Sequence, residues 1–138
     1  EQKNIEDKIQ QLGFSKHVTF YGFTPEPQKH FNKALCFLST SRWEGLPLAV
    51  LEAMSHGLVP VVTDVVGNRD AVKNGQTGLL YSLDSAVEAC DKLIELADNS
   101  KLRGELAKNA RQDVVLNYNV TLCANATCDI YRKILIKL

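Results

Sequence analysis

The chain is predicted to fold as an α/β domain, a parallel sheet with helices on both faces, followed by an all-helical C-terminal third. Three observations predict this. Short apolar runs alternate with helical segments, the order that builds βαβ units. The runs LCFLS (35–39) and VPVVT (59–63) are apolar without the polar alternation of a half-exposed strand, as expected of strands covered on both faces. From about residue 84 onward helical patterning continues to the end with no further strand.

Each element has a local reason. Residues 3–12 read as a helix because Ile5, Ile9 and Leu12 recur on one face and Gly13 stops it. Val18 to Tyr21 reads as a short strand closed by Gly22. Thr24 to Pro27 is a turn, and 27–34 a short helix leading into strand 35–39. The segment from Pro47 to about His56 is helical and apolar on nearly every side through Leu48, Val50, Leu51, Ala53 and Met54, and Gly57 ends it. Strand 59–63 then completes a βαβ unit with that helix as its crossover. A helix over 68–73, the turn NGQTG over 74–78 and a strand over 79–81 follow. Helices over about 84–98, 100–117 and 120–137 finish the chain. Lys101, Arg103, Glu105 and Lys108 read as a solvated face there, and Leu122, Ala126, Ile130 and Ile134 as an apolar one.

The 138 residues are expected to form a single domain, 1–138. The 45% hydrophobic and 23% charged content is that of an ordinary globular chain. A formal net charge of zero, without a basic run, excludes strong electrostatic binding of nucleic acid. No apolar stretch approaches the ~20 residues of a membrane helix. The start, EQKNIEDKIQ, is no signal peptide and begins without Met, which is expected of a piece of a longer chain. Cys36, Cys90, Cys123 and Cys128 form no CxxC pair and read as buried free thiols of a cytosolic protein. His17, His30 and His56 share no metal-ligand spacing, and His56 suits the C-terminal dipole of its helix.

Within SRWEGLPLAVLEAMSHGLVPVVTD (41–64) two carboxylates stand out. Ligands of open parallel sheets bind at the carboxyl ends of the strands, and the loop over 40–46 leaves such an end, so Glu44 belongs to that rim. Pro47 suits the first helical turn, where its missing N–H costs nothing. The N–H groups of Leu48 and Ala49 then face the rim unpaired, a ready anion site at the positive end of the helix dipole. Glu52 lies ~7.5 Å down the axis, at ~1.5 Å per residue. A carboxylate in an apolar helix needs hydrogen-bond partners, and the adjacent hydroxyls of a ribose would supply them. Spacing alone leaves a second reading open: Glu52 could meet a backbone N–H or a Lys, and Glu44 could simply favour the dipole.

The stretch EGLPLAVLEAMSHGLVPVV resembles the signature of group 1 (family 4) glycosyltransferases, retaining enzymes of GT-B fold. The lead-in SRW, the following TDVVGNRDAVKNGQTGLLY and the element VTFYGF also match, so the resemblance covers essentially the whole chain. It implies a Rossmann-like sheet, the C-terminal, donor-binding half of a two-domain GT-B enzyme. Glu44 would be catalytic, touching the sugar or its phosphates. Glu52 would bind the ribose hydroxyls. Gly45 and the backbone N–H groups of Leu46, Leu48 and Ala49 would hold the diphosphate. Gly22, Phe23 and Thr24 would lie against the base, and Arg42 stands either near the base or on the surface.

Two departures weaken single positions. Pro47 replaces a frequent Gly and so removes one phosphate-facing N–H. The family's Gly-Gly-x-x-Glu is represented by Gly67-Asn68-Arg69-Asp70, with a shorter acid, so Asp70 carries over weakly; Arg69 is either a phosphate partner or a solvated surface residue.

The function so implied is transfer of a hexose, with retention, from a nucleotide diphosphate sugar of UDP or GDP type to a glycan or lipid-linked acceptor in polysaccharide biosynthesis. The acceptor would be held by an N-terminal domain outside this chain. The chain by itself is expected to be inactive, because the donor-neutralising Arg and Lys of the family lie upstream. No resident cofactor or metal is expected; no Asp-x-Asp occurs. The resemblance places the enzyme in the cytoplasm, at the cytoplasmic face of the membrane. Two alternatives stand: a sugar-nucleotide epimerase of the same GT-B shape, and a non-catalytic binding module. A nicotinamide-dependent dehydrogenase would want G-x-G-x-x-G, which is absent.

Overall fold

In a computed structural model, which describes residues 2–135, the elements are α1 (Gln2–Gln11), α2 (Gln28–Phe31), β1 (Cys36–Ser39), α3 (Leu48–Ser55), β2 (Val59–Thr63), α4 (Val66–Ala71), β3 (Leu79–Tyr81), α5 (Ala86–Asp98), α6 (Ser100–Asn117) and α7 (Val120–Leu135). The three strands form a parallel sheet in the order β1-β2-β3. Cys36 faces Val59 and Ser39 faces Val62 on one side, while Val61 faces Leu79 and Thr63 faces Tyr81 on the other.

β2 is buried at every residue because both faces of the sheet are covered. Alternate side chains point to opposite faces, and the two cores follow that alternation. Val62 packs with Val50, Leu51 and Met54 of α3 and Ala110 of α6. Val59 and Val61 pack with Leu79, Tyr81, Ala89 and Leu96 on the α5 side. α6 serves both, through Ala110 and Leu106. Truncating the fully buried Met54 to Ala would cost about 2–5 kcal/mol.

Local chemistry sets the boundaries. α3 ends in a Schellman turn: Gly57, at φ 79°, donates to the Met54 carbonyl and Leu58 donates to that of Ala53. Ser85 caps α5 by accepting from the Glu88 N–H, and Asn99 caps α6 by accepting from that of Leu102. Pro60 cannot donate to a ladder. It is tolerated because β2–β3 pairing begins only at Val61–Leu79, and Gly78 lies over its ring.

Three expectations need correction. Val18–Tyr21 is not a strand: no strand pairs with it among the described residues, and Val18, Phe20 and Tyr21 are exposed. A strand persists only where its backbone groups find a ladder. The helix expected over 68–73 lies at Val66–Ala71, because Val65 is extended and Val72 has left helical geometry. Cys90, Cys123 and Cys128 are free but exposed, and Cys36 is half-buried, since the helices carrying the first three turn those positions to solvent. α7 buries no residue, so its apolar face over Leu122, Ala126, Ile130 and Ile134 is open; residues 136–137 of the expected helix lie outside the described residues.

Candidate functional site

The loop over 40–46 leaves the carboxyl end of β1 and delivers the chain to α3. It is held from several sides. The Tyr81 hydroxyl, on β3, donates to the Ser39 carbonyl at 2.9 Å. The Thr63 hydroxyl, at the end of β2, donates to the Ser41 carbonyl at 2.5 Å. Arg42 forms a two-pronged ion pair with Asp84, one prong being Nη2 to Oδ2 at 3.0 Å. Asp84 lies in the loop after β3, so the pair ties two rim loops together, and Asp84 has a left-handed backbone at φ 66°. Hydrogen bonding to Asp84 and its charge raise the Arg42 pKa. Arg42 is thus engaged with Asp84 on the exposed rim.

Glu44 is half-buried on this loop, and Gly45 and Leu46 are exposed. Pro47 is the cap before α3 and is buried, with φ −79° and ψ 79°, so the helix starts one residue later than expected. The N–H of Leu48 is not free: it donates to the Leu46 carbonyl at 2.9 Å, because the proline bends the chain back at the cap. The N–H of Ala49 has no partner among the described residues and is the open donor at the helix end.

Glu52 does not lie in a buried setting. Leu48, Ala49 and Glu52 share the exposed stripe of α3, while Val50, Leu51, Ala53 and Met54 face the core. Positions three and four apart fall on one face, and only the other face meets the sheet. Glu52 therefore needs no ligand to make burial tolerable. It is an open acid on the same face as a free amide, beside the exposed apolar Leu46 and Leu48. His56 follows α3, its Nδ1 2.9 Å from the Glu52 carbonyl, as expected at a helix C-terminus.

The structure brings Arg42, Glu44, Gly45, Leu46, Leu48, Ala49 and Glu52 onto one loop and one helix face. Gly22, Phe23 and Thr24 are not joined to them by any hydrogen bond among the described residues; Phe23 is 95% exposed and Thr24 accepts from the Glu26 N–H. Arg69 pairs with Asp64 at 3.1 Å, and the Asp70 side chain is exposed while its carbonyl accepts from the Tyr118 hydroxyl. A cavity of about 350 Å³ opens on the α5 side of the same strand ends, lined by Leu38, Thr63, Tyr81, Ala89 and Leu93 among others. Its one charged lining residue, Asp84, is already paired with Arg42.

Sequence reasoning marked Gly67 and Asn68 only as the counterpart of the family's Gly-Gly pair and missed their place, with Thr63 and Tyr81, beneath the loop. Gly67 of α4 lies so close that a Cβ there would stand 2.3 Å from the Gly45 carbonyl oxygen and 2.6 Å from that of Glu44. Asn68, fully buried, donates to the Thr63 carbonyl at 2.9 Å and to its hydroxyl at 3.1 Å. The available signal was a polar residue ending each apolar strand: Ser39, Thr63 and Tyr81.

The profile of the family described as "Glycosyl transferases group 1" matches residues 1–113. The chain belongs to the group 1 glycosyl transferases. A curated relative in this family, the Escherichia coli UDP-Gal:alpha-D-GlcNAc-diphosphoundecaprenol alpha-1,3-galactosyltransferase, is 33% identical over 120 residues, 87% of this chain but only 31% of that protein. The solved C-terminal domain of a group 1 glycosyl transferase, LpcC from Francisella tularensis, matches at a TM-score of 0.75 with 26% identity, over 86% of this chain and 63% of that one. A Staphylococcus aureus TarM variant, solved with UDP and alpha-GlcNAc-glycerol, matches at 0.87 with 25% identity, over 94% and 26%. This group 1 chain therefore spans less than a third of the galactosyltransferase it resembles. None of its helices, among the described residues, is long and apolar enough to cross a membrane.

Proposed function

We propose that this chain is the donor-binding domain of a retaining glycosyltransferase that moves a hexose from a nucleotide diphosphate sugar to a lipid-linked or glycan acceptor. The observation that carries the reading is the α3 face, where the free Ala49 N–H and the Glu52 carboxylate lie in line below the Glu44 loop. In this reading Glu52 accepts from both ribose hydroxyls. The helix end and the Ala49 N–H hold the diphosphate, whose charge grows as the sugar leaves, so the dipole stabilises the transition state more than the ground state. Glu44, on the rim, meets the sugar. Gly22, Phe23 and Thr24 approach the base. The UDP in the TarM structure and the UDP-Gal in the relative's name support a uridine donor. The acceptor binds a further domain, at the cytoplasmic face of the membrane, and the donor is the one cofactor-like group the reading needs.

The test is ligand-observed NMR of the chain with UDP, GDP, ADP and CDP. The expected result is binding of UDP that Glu52→Ala abolishes. No binding of any of the four, either to this chain or to the full-length protein, would refute the reading.

A further inference from the structure

We propose that Thr63, Asn68 and Gly67 are positioning residues for Glu44, fixing the loop over 40–46 from beneath; the inference rests on the reading of Glu44 as a donor-site acid. Two independent holds meet on this loop. The first is a chain of buried polar groups. Asn68 is 0% exposed and its Nδ2 donates to both Thr63 oxygens. Thr63, 2% exposed, donates in turn to the Ser41 carbonyl, three residues before Glu44. Asn68 can donate to the Thr63 hydroxyl only while that hydroxyl's own hydrogen is turned to Ser41. The Asn68 amide thus fixes the direction of the Thr63 bond.

The second hold is steric. The space a side chain of Gly67 would need is filled by the backbone of Glu44 and Gly45, at 2.3 to 2.8 Å from an ideal Cβ. These are main-chain atoms and cannot swing aside. Gly67 lies in helical α4 without a positive φ, so its lack of a side chain serves the close approach and not the local conformation. α4 therefore sets how high the Glu44 carbonyl stands above the sheet. From the solvent side, among the described residues, only the exposed Arg42–Asp84 ion pair holds the loop: Trp43 is 84% exposed and Gly45 and Leu46 face solvent.

The test measures ¹⁵N order parameters of the ligand-free chain and, separately, its affinity for UDP. Thr63→Val keeps the strand residue's shape and removes the hydroxyl. Its order parameters over 42–46 are expected to fall from about 0.85 toward 0.6 or below, with α6 unchanged. Thr63→Ser, which keeps the hydroxyl, is expected to restore them. Gly67→Ala is expected to weaken UDP binding roughly tenfold or more, because it displaces Gly45 and Leu46, the loop's share of the diphosphate site, together with Glu44. A rigid 42–46 loop in Thr63→Val, failure of Thr63→Ser to restore order, or undiminished UDP binding by Gly67→Ala would each overturn the proposal. Should Thr63→Val not fold, Asn68→Ala takes its place with the same expected loss of order. If neither the wild-type chain nor the full-length protein binds UDP, the donor-site reading fails, while the order parameters still decide whether these residues fix the loop.

Discussion

Replacing Glu52 by Ala separates binding from stability. The Glu52 side chain is exposed on the outer face of α3, and its carboxylate has no hydrogen bond or ion pair among the described residues; only its carbonyl is engaged, by Ser55 and His56. Ala is the better helix former by a few tenths of a kcal/mol. Truncation therefore leaves stability within about 0.5 kcal/mol of wild type. Binding is a different matter. A hydrogen bond to a charged group contributes ~1.5–3 kcal/mol, and ~1.4 kcal/mol is tenfold in affinity. Loss of one ribose contact weakens UDP about tenfold, and loss of two about a hundredfold or more. Isothermal titration with UDP and urea denaturation of the same two proteins give both numbers. A loss of affinity below about threefold, or a destabilisation above about 1 kcal/mol, would refute the reasoning, since the first denies the ribose contact and the second the open helix face.

Further expectations concern the scaffold. Gly104→Ala, in the interior of α6 with open space at its Cβ position, is expected to stabilise by about 0.5–1 kcal/mol. Gly78→Ala, whose Cβ would stand 2.5 Å from Pro60 Cγ and 2.7 Å from the Pro60 carbonyl oxygen, is expected to lose about 1–3 kcal/mol or more; urea midpoints of the two variants decide. The Ser82 backbone N–H, 2.7 Å from Glu88 Oε2, followed by the Ser82 side chain, lowers the Glu88 pKa. A depressed folded-state pKa gives stability above the ordinary carboxylate range that is lost as pH falls through the folded value. Glu88→Gln should thus melt lower than wild type near neutrality, and the gap should close as pH is lowered through about 4 and below. Native-state alkylation followed by mass spectrometry is expected to label Cys90, Cys123 and Cys128 readily and Cys36 slowly, because burial raises the Cys36 pKa and withholds its thiolate. Equal rates at all four would contradict the half-buried position of Cys36.

Much of the architecture was legible in the sequence because it depends on local pattern. The unbroken apolar runs announced strands, and β1, β2 and β3 lie where LCFLS, VPVVT and LLY stand, although only β2 is covered on both faces and β1 leaves Leu38 exposed. Gly57 after an apolar helix announced the Schellman turn. The motif from Glu44 through Pro60 announced the family, since a carboxylate pair, a glycine and a proline at set spacings are properties of the string itself. Pattern failed where a partner decides. VTFYG has the composition of a strand, yet no ladder joins it among the described residues.

The helix carrying Glu52 shows the division most clearly. Its composition, LAVLEAMS, is apolar all round, so the sequence determined that it would be buried somewhere but not which side would meet the sheet. The tertiary structure decided that. β2 and α6 cover Val50, Leu51 and Met54, and Leu48, Ala49 and Glu52 are left facing out. The same holds for the loop above it. The residue types of Glu44, Thr63, Gly67 and Asn68 were in the sequence, but their meeting depends on a parallel sheet that brings three chain ends to one rim. Contacts across 22 residues, such as Thr63 to Ser41, arise from topology and leave no periodic trace in the chain.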